Sequence, residues 1–130
     1  MADQYMSMAT LKFMLHDVHG LKEVLGHGRF SDHDEASADM FLDTVKAFCD
    51  RDCFPYIKEM DEKPVYYKDG KVIVHPQVEH IMRKCGELGL IGSSFDYEHG
   101  GLQLPSMLNQ AAYFIIDAAN NHVSGYAGLT

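Results

Sequence analysis

At 130 residues the chain has the length of one ordinary domain, and its 46% hydrophobic share suits a packed core and excludes disorder. Eleven Lys and Arg against nineteen Asp and Glu leave a formal charge of −8. That balance argues against a nucleic-acid binder, which needs a basic stripe to displace phosphate counterions, and weakens the case for an anionic membrane surface. No apolar run approaches the ~20 residues of a membrane span, and the acidic start Met1-Ala2-Asp3-Gln4 lacks a secretory pattern. Cys49, Cys53 and Cys85 cannot complete a disulfide framework, so reduced thiols in a cytoplasmic chain are expected.

In chain order, Met6 to Val18 is roughly helical in its apolar spacing, with Gly20 at the stop position and Leu21 to Leu25 as one further turn. Helices this short are marginal alone, so the N-terminal arm must dock on something, though the sequence does not say on what. From Ser31 to Asp61 the pattern sharpens. Ser31 or Asp32 is the expected cap, and Phe41, Val45, Phe48, Cys49, Cys53, Ile57 and Met60 recur at steps of three and four. Pro55 lies inside this stripe and should kink or divide the helix, because it offers no N–H to Arg51.

Val65 to Val74 holds two β-rich runs around Asp69-Gly70, a hairpin expected to lie against helices. Pro76 opens the next helix, Val78, Ile81, Met82, Cys85 and Leu88 form its apolar face, and Gly89 ends it. Residues 90–101 read as loop. Ser106 is the expected cap of a helix that is apolar on most sides, with Phe114, Ile115 and Ile116 in the core. Asn120-Asn121 interrupts it. His122 to Leu129 then looks like the opening of another helix, and the chain ends inside it, as a portion of a longer domain would.

Four stretches in order resemble the N-terminal helical domain of the acyl-CoA dehydrogenases. They are the Phe48–Asp61 helix with its internal Pro55, Glu87-Leu88-Gly89-Leu90-Ile91-Gly92, the Asp96-Tyr97-Glu98-His99-Gly100-Gly101-Leu102-Gln103-Leu104 loop, and Ala119-Asn120-Asn121 followed by Tyr126-Ala127-Gly128-Leu129-Thr130. The resemblance covers residues 36–130, preceded by an arm over 1–35. The arm and the inserted hairpin are similar to a longer subfamily that includes methylthiopropionyl-CoA dehydrogenase-like proteins. The family resemblance implies a mainly α helical bundle with one small hairpin. It also implies a parent flavoenzyme that oxidises an acyl-CoA thioester to its 2-enoyl form, with FAD and the catalytic carboxylate held mainly by other domains. This chain alone would then be inactive and carry no FAD. Val123, Ser124, Tyr126 and Leu129 would lie on or near the helix beside the acyl chain, and Gly125 departs from common members in a way that bears on pocket depth.

Other chemistry is weaker in the sequence. Asp32 with Asp34, and Asp61 with Glu62, read as solvated acidic surface. His16-x-x-His19 with His27 and His33, and the three cysteines, have the residue types of a metal site without a recognised spacing, and core packing is the plainer account of the thiols. Gly125-Tyr126-Ala127-Gly128 lacks the preceding strand and following Lys of a phosphate loop. The rival to the dehydrogenase reading is a non-enzymatic helical interaction module. In either case self-association is expected, through the apolar residues of Ala111 to Ala119 or through His122 to Leu129.

Overall fold

The computed structural model describes residues 4–129, so the first three residues of the arm and Thr130 of the C-terminal motif lie outside the described residues. The chain is mainly helical with one two-stranded hairpin, the fold class expected. The arm comprises α1 (Met8–Phe13), a π-helical turn (Met14–Val18) and α2 (Leu21–Leu25), with Gly20 between them at φ +63°. It docks on α3 (Glu35–Phe48) and on the turn that follows. Leu15, Leu21 and Leu25 are buried in the common core, each burial worth about 2 kcal/mol. Lys12 Nζ lies 2.9 Å from Asp43, and the Tyr5 ring stacks on Phe54 while its hydroxyl donates to Asp50 at 2.7 Å.

The cap of α3 is Asp34 rather than Ser31 or Asp32. Its Oδ1 accepts from the Ser37 N–H at 2.7 Å, and Ser37 Oγ accepts from the Asp34 N–H at 2.9 Å. A reciprocal capping box needs partners three residues apart, and here Asp34 and Ser37 form it. Ser31 and Asp32 lie in the turn after a 3₁₀ stretch, Gly28–Phe30. The α3 stripe buries Ala38, Leu42, Val45, Phe48, Cys49 and Cys53, while Phe41 and Ile57 are only half-buried.

Pro55 divides the helix as expected. A π-turn (Cys49–Cys53) and a 3₁₀ turn (Phe54–Tyr56) carry the chain into α4 (Ile57–Glu62). The hairpin pairs β1 (Tyr66–Lys68) with β2 (Lys71–Ile73), with Lys68 opposite Lys71. Asp69 and Gly70, at φ +50° and +79°, make the turn that matches strand twist. The hairpin does not lie flat on the helices. Tyr66, Tyr67 and Val72 are exposed, and only Ile73 and Val74 tuck inward, because three-residue strands present too little face to cover.

Pro76 precedes α5 (Gln77–Glu87) instead of being its first residue. The helix ends with Leu90 N–H donating to Cys85 O and Gly89 N–H to Gly86 O, the paired bonds that a left-handed Gly89 at φ +68° permits. A loop with a 3₁₀ turn (Tyr97–His99) leads to α6 (Ser106–Ala119) and α7 (Asn121–Gly128). Ser106 is the first residue of α6 and caps nothing; Pro105, whose side chain accepts no hydrogen bond, occupies the cap position. Leu108, Ala111, Ala112, Ile115, Ile116 and Ala119 are buried against α3 and α7. Phe114 departs from expectation: at 54% exposed it stands on the outer face of α6.

Candidate functional site

The corner between α6 and α7 brings three of the four anticipated residues, Ser124, Tyr126 and Leu129, to one surface. It is held by Asn120, fully buried and extended at φ −164°. Its side-chain oxygen accepts from the His122 N–H at 3.1 Å, which caps α7. Its amide nitrogen donates to Cys53 O at 2.9 Å. The Ile57 N–H, which an unbroken α-helix would aim at that carbonyl, is directed by the 3₁₀ turn to Phe54 O instead. The Pro55 break therefore supplies the acceptor that anchors the corner.

Two further bonds brace it. Ser124 Oγ donates to Asp117 at 2.6 Å, tying α7 to α6. The Tyr113 hydroxyl lies within donating distance of Ala127 O (3.1 Å) and Leu90 O (3.3 Å). Burial, with nearby Cys85 adding, pushes the Tyr113 phenol above its ordinary pKa, so it stays a donor.

On the outside of this corner lie two open hollows. His122, Gly125, Tyr126 and Leu129 line one, of about 530 Å³. The other, of about 540 Å³, runs along α6 past Phe114, Tyr113 and Asp117 to Ser124, Gly128 and Leu129. Gly125 and Leu129 belong to both. A Cβ on Gly125 would meet nothing within 4 Å, so the missing side chain leaves open space rather than close packing. Leu129 is 91% exposed. The structure thus brings Ser124, Tyr126 and Leu129 to one surface and adds Phe114 to it. Val123 is fully buried in the core and lines neither hollow. Phe114 is hard to find from sequence, because an apolar residue in an apolar helix looks the same whichever way it faces.

A third hollow, about 530 Å³, lies under the hairpin and is lined by Tyr66, Ile73, Val74, His75, Glu59 and Lys63 among others. His75 Nδ1 accepts from the Gln77 N–H at 3.1 Å, so Nε2 carries the proton and faces Glu59 at 3.5 Å. The Glu59 carboxyl is held below its ordinary pKa first by Lys63 and then by His75. This is an ion-pair cluster with its charges answered.

The other sequence candidates resolve as structure. Asp34 is a cap, and Asp61 and Glu62 are exposed. The cysteines are buried and unoxidised. A hydrogen bond with Cys53 and then burial push the Cys49 thiol up, and burial pushes Cys85 up to about 12, so these two pack as neutral thiols. Asp96, Glu98 and His99 form the one group with ligand spacing among the described residues; Asp96 is already paired with Arg29 at 2.6 Å. Gly125 to Gly128 is plain helix. Of the apolar residues from Ala111 to Ala119, expected to pair with a second copy, Ala111, Ala112, Ile115, Ile116 and Ala119 are already covered by the chain's own α3 and α7, and Phe114 is exposed.

A braced helical unit with one open, partly apolar corner is the class that fold and site define. The model of the acyl-CoA dehydrogenase N-terminal domain matches residues 35–125, well over half of the chain. The chain belongs to that family. No curated protein matches the sequence.

Proposed function

We propose that the chain is the helical portion of a flavin-dependent acyl-CoA dehydrogenase and that its α6–α7 corner supplies one wall against the acyl tail. The supporting observation is the corner itself: Phe114, Tyr126 and Leu129 are exposed on backbone that Asn120, Ser124 and Tyr113 hold rigid, at the end of the family-matched stretch. Apolar groups held open on a rigid scaffold suit an alkyl ligand, since little ordering entropy remains to be lost on binding. The oxidation of an acyl thioester to its 2-enoyl form belongs to the whole protein. FAD would supply the redox chemistry when bound, and its binding is assigned mainly to other parts of the parent.

Two finer assignments go with this reading. The docked arm and the inserted hairpin support the longer subfamily that includes methylthiopropionyl-CoA dehydrogenase-like proteins. The buried free thiols suit a reducing, cytoplasmic setting, and among the described residues no helix is long and apolar enough to cross a membrane. Self-association of the parent is proposed through surfaces other than the covered α6 residues. The exposed Tyr66, Tyr67 and Val72 of the hairpin favour the second reading, an interaction module.

The test is expression of the natural gene product in full. The proposal expects bound flavin and conversion of an acyl-CoA to its 2-enoyl form with an artificial electron acceptor. In that protein Leu129→Asp should raise KM for longer acyl chains about tenfold while kcat for the shortest stays unchanged. A product with neither flavin nor turnover overturns the dehydrogenase reading in favour of the interaction module.

A further inference from the structure

We infer that His16 is a proton-operated latch that fastens the N-terminal arm to α3. The ring lies between two acids of that helix: Nδ1 is 3.2 Å from Glu35 Oε1 and Nε2 is 2.8 Å from Asp39 Oδ1. An imidazolium has two N–H groups and answers both carboxylates. A neutral imidazole has one, and must turn a lone pair on the other acid at hydrogen-bonding distance. The geometry is therefore satisfied in one protonation state and broken in the other.

The charges around the ring are few. Glu35 and Asp39 face it from α3. Lys12, one turn earlier on the arm, reaches Asp39 at 3.5 Å and Asp43 at 2.9 Å. Asp17 and His19, its near neighbours in sequence, are exposed. His16 itself holds its proton above the ordinary imidazole pKa, chiefly through the bond to Asp39, with burial opposing and Glu35 adding. A raised folded-state value means that the latch contributes in full below the ordinary range and is lost as pH rises through the raised value.

The arm responds to such a loss because it has little else of its own. Its two α-helices are six and five residues long, too short to persist undocked. Leu15, Leu21 and Leu25 still favour docking after the proton leaves, so the outcome is more frequent local opening of the arm, not release of the whole bundle.

Amide hydrogen exchange on the 130-residue chain tests this, comparing protection factors of residues 8–25 with those of α6 between about pH 5.5 and about pH 8.5. The arm should lose protection relative to α6 several-fold as pH rises. In His16→Gln, which keeps a donor and never titrates, the step should vanish; in His33→Gln, which alters a histidine bonded to Leu102 O, it should remain. Glu35→Gln, which leaves the ring in place, should move the midpoint to lower pH. A flat profile in the parent sequence, an undiminished step in His16→Gln, loss of the step in His33→Gln, or an unmoved midpoint in Glu35→Gln would each overturn the latch.

Discussion

The side chain of Asn120 joins the start of α7 to a carbonyl 67 residues earlier, at Cys53. Asn120→Ala would remove a cap and a buried hydrogen bond to the Cys53 carbonyl, for a loss of about 1–3 kcal/mol that urea denaturation would measure. At Gly125 the sign reverses. The residue is helical, and its absent Cβ faces open space, so Gly125→Ala should add about 0.5–1 kcal/mol of stability, read as a rise in Tm, while filling part of both hollows. In sequence, Asn120-Asn121 is legible only as a helix break. Its acceptor exists because of a proline-induced turn far away, and no local spacing carries that. Val123, Ser124, Tyr126 and Leu129 could all be assigned to one helix by resemblance, whereas the inward turn of Val123 depends on how α7 sits on α5 and α6.

Elements were legible where periodicity is long and their ends signalled. The α3 stripe, the Pro55 break, the Asp-Gly turn and the Gly89 stop each have a local physical cause, and each stands where that cause predicts. Caps were less so: Ser31, Asp32 and Ser106 have suitable side chains, yet the cap falls where the backbone leaves the helix, at Asp34 and Pro105. The Gly-Gly loop shows why a family pattern can be strict. A Cβ on Gly101 would fall 2.1 Å from Phe95 O, a backbone atom that also accepts from the Gln103 N–H. Gly101→Ala should therefore cost about 2 kcal/mol or more and loosen residues 93–104, seen as lost amide protection there ahead of α6. Gly100, with open space around its Cβ position but φ +77°, should tolerate Asn better than Val.

For the molecule as a whole, the arm closes one side of the bundle and the α6–α7 corner leaves another open. Acid should weaken this assembly. Burial of Asp52 opposes its ionisation, but hydrogen bonds from Arg51 and His80 outweigh that and hold its carboxyl below the usual range. Asp34 is held low by the Ser37 N–H, and Glu87 by Lys84. Lowered carboxylate values give stability that is present above the ordinary range and lost as pH falls through the folded values. Urea midpoints should accordingly drop between about pH 5 and about pH 2, and less so in Asp52→Asn, whose smaller starting stability no longer depends on that proton.

The central claim, that the α6–α7 corner faces the acyl tail, is tested most directly by an acyl-CoA carrying a diazirine in its tail, photolysed on the natural full-length gene product. The account predicts crosslinks within residues 109–129, at Phe114, Tyr126 and Leu129 above all. Crosslinks confined to the hollow under the hairpin, at residues 59–76, or absent from this chain while present elsewhere in the protein, would contradict it.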